Sequence, residues 1–358
     1  MSGRLAANER LSKETAIRLL REMLEIPSPS GGEGKLAAYL KGAMTDLGFE
    51  AWTDDAGNAV GVIDRGPGPQ VMLLGHLDTV PDQLPVREAN GRLYGRGASD
   101  AQGPLAAMIC AAAGASGFGG RVCVIGAVEE EVPSARGAIA VRDTHQRPDA
   151  CIIGEPSGSR SVVIGYKGKL DLRYTVECPS VHTTSPDPKA SELAAGCWAA
   201  LNEILGRTDH TVFKLPGATL ESISGDTVRA EATMGVRTPP GFDADAFVAE
   251  LRERLPQGTL SVAASRKPCV ADRRNPVIQA LTAGIRRQSA TPSLVLKTAT
   301  SDMNTLAEVW DIPMASYGPG DSKLDHTSDE SIDLDDYLLS IAVLSDALTE
   351  LTVLLSGS

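Results

Sequence analysis

Val71-Met72-Leu73-Leu74-Gly75-His76-Leu77-Asp78 is an apolar run that ends on two polar residues spaced two apart. A short, nearly uninterrupted apolar stretch fits a strand buried on both faces, as in parallel sheets. The polar pair then emerges at the carboxyl end of that strand. Two later runs end alike: Val122-Cys123-Val124-Ile125-Gly126-Ala127-Val128 stops at Glu129-Glu130-Glu131, and Cys151-Ile152-Ile153-Gly154 stops at Glu155. Between the first two runs, Gly97-Ala98-Ser99-Asp100 opens into an alanine-rich helix, and Pro104 suits its first turn, where a missing N–H breaks no bond. Open α/β sheets bind ligands beyond the carboxyl ends of their strands. A histidine and several carboxylates gathered there predict a metal site, and with it an enzyme.

Working outward, helical periodicity covers residues 12–24 and 33–48, on either side of the breaker Pro27-Ser28-Pro29-Ser30-Gly31-Gly32. Strands alternating with helices then predict a mostly parallel sheet covered on both faces. The middle of the chain follows another pattern, with strand 169–177, helix 189–205, strands 219–223 and 228–236, helix 243–255 and strand 260–264. That β-α-β-β-α-β order is the ferredoxin-like split unit. From Asn275 the α/β pattern resumes with a helix, strand 294–297, helix 302–309, strand 312–317 and a long helix from Leu334. The expected class is α/β: a discontinuous catalytic domain over 1–166 and 273–358, interrupted by an inserted α+β domain over 167–272.

At 358 residues the chain exceeds the usual limit of about 250–300 for one core, which agrees with two domains. Net charge is −12 and no long basic cluster stands out, so nucleic acid is not an expected partner. The six cysteines lie apart, several within apolar runs, and read as structural thiols rather than a disulfide framework. The N-terminus, with Arg4, Glu9, Arg10 and Lys13, lacks the apolar core of a signal peptide, and no segment is expected to approach the roughly 20 apolar residues of a membrane span. The expectation is a soluble, cytoplasmic protein with no membrane partner.

Histidine is scarce: His76, His145, His182, His210 and His326 are all there are. Zinc takes imidazole nitrogen and carboxylate oxygen, and one shared carboxylate can hold two metals about 3.5–4 Å apart. One histidine and one terminal carboxylate per ion, plus a bridge, needs two His and three Asp/Glu. His76, His326, Asp100, Glu155 and one glutamate of 129–131 meet that need. Any one of these carboxylates alone reads as a helix cap or a salt-bridge partner. Their joint placement at successive strand ends is what argues for metal. His145 and His210 lie in polar connectors and read as surface residues.

Gly75-His76-Leu77-Asp78-Thr79-Val80-Pro81 and Gly95-Arg96-Gly97-Ala98-Ser99-Asp100-Ala101-Gln102-Gly103 resemble two signature blocks of a zinc hydrolase family. That family includes acetylornithine deacetylase, succinyl-diaminopimelate desuccinylase, aminoacylase and carboxypeptidase G. The glutamate run, Gly154-Glu155-Pro156-Ser157 and the late His326 follow in the family's order, so the resemblance spans nearly the whole chain. It implies that His76, Asp100 and Glu155 hold one Zn2+, and that Asp100, Glu131 and His326 hold a second, with Co2+ a possible substitute. It implies that Asp78 orients His76 and that Glu130 is the general base. The glutamate run also admits these roles shifted by one place. It further implies an oxyanion donor in His182, where Val181 stands in place of the family's usual glycine. Arg237 would grip a substrate α-carboxylate, and the loops at Thr300-Ser301-Asp302-Met303-Asn304 and Gly318-Pro319-Gly320-Asp321 would line the pocket, with Ser301 and Gly318 as substrate contacts. A homodimer through the inserted domain is implied as well.

Gly154-Glu155-Pro156-Ser157-Gly158, Gly165-Tyr166-Lys167-Gly168 and Thr300-Ser301-Asp302-Met303-Asn304 resemble most the branch that frees lysine, or ornithine, from an amino-group carrier protein in the α-aminoadipate route. Such carriers are acidic, and Lys167, Lys169 or Arg160 are candidates to steer one locally. Asp302 or Asp321 would pair with the substrate's ε-ammonium. A small-molecule deacylase of the acetylornithine or succinyl-diaminopimelate type is the competing enzyme, and a metal-binding scaffold without chemistry the competing class.

Overall fold

The apolar run at 70–76 forms the strand Gln70–His76, buried from Val71 onward because neighbouring strands and helices cover both faces. The structure, a computed structural model, describes residues 12–356, so Arg4, Glu9 and Arg10 lie outside the described residues. These divide into two compact units: residues up to 165 with 271–295 and 301 onward, and residues 166–270 with 296–300.

The first unit is built on a twisted sheet whose strands run in the order Glu50–Thr53, Ala59–Asp64, Arg121–Ala127, Gln70–His76, Ala150–Ile153, Met314–Ser316, Ser161–Tyr166. Four neighbours at its centre, from Arg121–Ala127 through Met314–Ser316, are mutually parallel. Their carboxyl ends therefore share one edge, where Leu74 pairs with both Ile125 and Ile153, and His76 with Ala127. The helix Gln102–Gly114 is buried along its first eleven residues and presses onto this edge. Its close approach needs glycine: a Cβ on Gly75 would stand 3.2 Å from Leu105 Cβ, and one on Gly154 would stand 2.9 Å from Met108 Sδ.

The helix Leu334–Leu355 corrects one expectation. It is 22 residues long and apolar enough to cross a membrane by length and composition. Tyr337, Leu344, Leu348 and Leu351 are buried in the core of the first unit, where the helix packs on Pro276–Arg287 and Gln102–Gly114, while Val353 is exposed. Three strands not foreseen, Arg87–Ala89, Arg92–Tyr94 and Ser331–Asp333, form a small separate sheet, and Arg136–Thr144 adds an unforeseen helix. These elements are too short to show a period.

The second unit follows the order Gly168–Glu177, Ala190–Leu205, Gly217–Gly225, Arg229–Thr238, Ala244–Arg254, Thr259–Arg266, which is β-α-β-β-α-β. Its antiparallel sheet has the third strand beside the first at its centre, the second and fourth at the edges. Gly168–Glu177 alternates buried and open positions, and its inward Leu170, Leu172, Tyr174 and Val176 pack against Leu201, Phe247 and Leu251 of the two helices. All six cysteines are free, four of them buried.

Candidate metal centre

The sheet edge of the first unit collects the polar residues that the strand ends deliver. His76, the last residue of its strand, is 1% exposed. Its Nε2 lies 3.3 Å from Asp100 Oδ1. The other oxygen of Asp100, Oδ2, lies 3.3 Å from Nε2 of His326, whose Nε2 is also 2.9 Å from Glu131 Oε1. Asp100 thus stands between two imidazoles with one oxygen toward each. Ligand atoms of Asp100, Glu131 and His326 all fall within 4.8 Å of one another. Imidazole nitrogen and carboxylate oxygen are the donors zinc accepts, so the residues fit a metal chemically.

Charge points the same way. Burial pushes the Glu130 carboxyl well above its ordinary value, against the pull of His76, and the nearby Glu155, Asp302 and Glu131 push it the same way. Burial and Asp100 raise Glu155 likewise. Burial alone would lower His76, but hydrogen bonds to Asp100 and Asp78 outweigh it and push the imidazole well above its usual range. His326 is pushed up to about 10, first by Asp100 and then by Glu131. Despite its burial, Asp100 is held well below the usual carboxylate range by His326 and His76. Glu130 and Glu155 are raised, so this group of buried carboxylates would be relieved by a cation.

The three consecutive glutamates separate by partner. Glu129 turns to its own neighbours: its carboxylate accepts from Ser134 Oγ at 2.7 Å and from Arg136 Nε at 2.9 Å. Glu131 meets His326. Glu130 lies within electrostatic reach of His76, Glu155 and Asp302. Glu129 and His326 both adopt left-handed backbone, φ +60° and +61°, where a side chain is strained and the surroundings must hold it.

Asp78 is fully buried, and its carboxylate does more than face a histidine. The nearer partner of His76 Nδ1 is the Asp78 carbonyl oxygen at 2.9 Å, with carboxylate Oδ1 at 3.6 Å. That carboxylate accepts the Glu130 N–H at 2.9 Å, the Glu131 N–H at 3.0 Å and Ser30 Oγ–H at 2.8 Å. Asp78 therefore ties the glutamate loop to the end of the His76 strand. Glu155 follows its strand in the same edge.

Ser301 and Gly318 also belong to the first unit. Ser301 caps the helix Asp302–Ala307, accepting from Met303 N–H, while its own N–H donates to Asn304 Oδ1. Gly318 exchanges hydrogen bonds with Ser157, and a Cβ there would stand 2.8 Å from the Glu155 carbonyl oxygen, so it holds the Glu155 loop close. Asp302 is buried and Asp321 exposed.

His182 and Arg237 belong to the second unit. His182 is exposed, with Nδ1 3.3 Å from the Thr184 backbone nitrogen and 2.8 Å from Thr184 Oγ1. Arg237 donates from Nη1 to Thr300 Oγ1 at 2.9 Å. Lys167 overturns its expected place on a basic rim: it is fully buried, and its ammonium donates to the carbonyls of Leu215 at 2.6 Å and Asp209 at 3.3 Å. Lys169 pairs with Asp171 at 2.7 Å, and Arg160 is exposed. His210 is exposed as expected, but His145 is not a free surface residue, since its partly buried Nε2 meets Asp54 Oδ2 at 3.0 Å.

Sequence reading gave no role to Ser30, which donates to the Asp78 carboxylate, or to Arg96 and Glu330, a buried ion pair whose Glu330 accepts the Asp100 N–H. Ser30 sits in a breaker whose composition announces only a turn. Glu330 has no neighbour in sequence that marks it.

The family model for peptidase family M20/M25/M40 matches residues 72–350. The LysW-lysine hydrolase of Deinococcus radiodurans is 41% identical over 94% of this chain and 97% of its own length. A protein of Thermococcus kodakarensis named putative LysW-lysine/LysW-ornithine hydrolase is 35% identical over 95% of this chain and 93% of its own. In fold, the chain is similar to the M20 family metallo-carboxypeptidase Sso-CP2 of Sulfolobus solfataricus, with TM-score 0.81 and 18% identity over 94% of this chain and 99% of that one.

Proposed function

The chain belongs to peptidase family M20/M25/M40 and is a metal-dependent amide hydrolase, and from that premise we propose its substrate, its metals and the roles of its residues. The substrate is the amide joining the α-amino group of lysine to the C-terminal glutamate side chain of an amino-group carrier protein of the LysW kind, with ornithine as a second candidate amine. This is the last step of lysine biosynthesis by the α-aminoadipate route. The observation that carries the reading is the 41% identity to a LysW-lysine hydrolase across almost the full length of both chains.

The proposed ligands are His76, Asp100 and Glu155 for one Zn2+ and Asp100, Glu131 and His326 for another, with Co2+ as substitute. When bound, such a pair polarises an amide carbonyl and acidifies water. Asp100 suits the shared position because each of its oxygens already faces a different histidine. Glu130 takes the proton of the attacking water on its carboxylate and passes it to the leaving α-amine; its raised affinity for protons suits a group that must hold one in transit. Asp78 holds the backbone of both Glu130 and Glu131, so base and ligand keep a fixed offset. The proposed role of His182 is to donate from Nε2 to the developing oxyanion. Arg237 receives the α-carboxylate of the departing lysine, for which a guanidinium fork is matched. The proposed assembly is a cytoplasmic homodimer.

The test is turnover by protein stripped of metal and reconstituted with Zn2+ or Co2+, on three substrates separately: lysine-loaded carrier, acetyl-lysine and acetylornithine. The expected result is preference for loaded carrier and no activity before reconstitution. Preference for free acetylornithine moves the enzyme to the small-molecule deacylases, and turnover that survives metal removal overturns the site.

A further inference from the structure

Arg96 and Glu330 form an ion pair inside the first unit, with their side chains 3% and 0% exposed and Nη1–Oε2 at 2.7 Å. Burying such a pair is seldom stabilising by itself, because two charges lose their hydration, and apolar residues of similar volume often do as well. The reason for charge here must lie in what the two side chains hold. The second oxygen of Glu330, Oε1, accepts the N–H of Ser99 at 3.0 Å and the N–H of Asp100 at 3.1 Å. Arg96 donates from Nη1 to the Thr327 carbonyl at 3.2 Å and from Nε to the Asp82 carbonyl at 2.8 Å. A further strap runs alongside: Ser99 Oγ lies 3.0 Å from Asp325 Oδ1.

One end of the pair thus grips the backbone of Asp100 and the other grips the residue next to His326. These two proposed ligands are far apart in sequence and stand on loops rather than on strands, unlike His76. The His326 backbone lies in the left-handed region, so its loop needs external restraint to keep that conformation. Mutating a group that orients a ligand typically costs about 10–100-fold in metal affinity or activity.

We infer that the buried Arg96–Glu330 pair is a positioning device: it holds the Asp100 and His326 loops at a fixed separation and so sets metal affinity and turnover, without touching metal or substrate. The inference rests on the metal centre proposed above.

The test compares three full-length chains: wild type, Glu330→Gln, and the double variant Arg96→Met with Glu330→Leu. The double variant removes both charges together, so no lone charge is left buried to unfold the protein. Metal-free unfolding temperature, cobalt titration of the metal-free protein followed by the absorption bands of bound Co2+, and kcat and KM on lysine-loaded carrier are measured. The double variant leaves the N–H groups of Ser99 and Asp100 without their acceptor, so it is expected to unfold below wild type while staying folded at assay temperature. It is expected to lose affinity for at least one Co2+ by about 10–100-fold, and to lose kcat while KM is kept. Glu330→Gln keeps the volume and one acceptor oxygen, so its affinity is expected to fall less. A folded double variant, or a folded Glu330→Gln, that binds Co2+ with wild-type affinity and spectrum overturns the positioning role alone. A wild-type chain that binds no metal overturns the metal centre and this inference with it.

Discussion

The two units of this protein place charge in opposite ways. At the sheet edge of the first unit, carboxylates and two histidines crowd together, mostly out of solvent, and burial and mutual contact raise the proton affinities of Glu130, Glu155, His76 and His326. On the sheet of the second unit, charges sit in the open as simple pairs: Arg229–Glu177 at 3.2 Å with side chains 80% and 70% exposed, and Arg173–Glu231 at 2.7 Å with 55% and 35%. Water screens the second kind, and each such pair contributes little. The first kind is relieved either by taking up protons or by a cation in their place. Buried charge that the protein leaves unbalanced points to a ligand, whereas exposed charge that it balances points only to solubility.

That contrast can be broken at several points. Glu130→Gln is expected to lower kcat about 10²–10⁴-fold, equal to roughly 3–5 kcal/mol of barrier, with metal content kept; undiminished turnover would remove Glu130 as the base. Leu251→Ala in the second unit is expected to cost about 2–5 kcal/mol of stability through lost burial and a cavity. Cobalt binding should be untouched, since the change lies in the other unit; a loss of metal there, measured beside the denaturation curve, would mean that the units do not divide labour as described. Asp78→Asn keeps one acceptor oxygen and turns an amide NH2 toward the backbone N–H groups of Glu130 and Glu131. Leaving a buried donor unpaired costs about 1–3 kcal/mol, and the expected signature is a fall in kcat larger than any change in KM. Arg229→Ala should move the unfolding free energy by less than about 1 kcal/mol. A larger loss would show that the exposed pairs matter more than their solvation allows.

The strand-end logic carried far because it is local. Apolar runs at 70–76, 121–127 and 150–153 end in polar residues, and parallel pairing in register brings all three ends to one edge. The β-α-β-β-α-β stretch was equally legible from period and turn residues. Where expectation failed, the cause was context. The helix Leu334–Leu355 is long and apolar enough to count as a span, and one face of it packs in the core of the first unit. Lys167 looks like a rim lysine in sequence, yet backbone carbonyls at 209 and 215 draw its ammonium inward.

The amino-acid sequence alone thus determined the α/β class, the β-α-β-β-α-β order of the second unit and, through the motif blocks around His76 and Asp100, the family. The class and the order follow from periodicity, and the family from resemblance of short motifs. The tertiary structure alone decided what each residue of the proposed site leans on. Asp78 restrains a glutamate loop 52 positions away, and Glu330 holds an aspartate 230 positions before it. Hydrogen bonds across such separations depend on which loops the packed sheet and helices bring together. No local pattern encodes that, because it exists only once the core has closed.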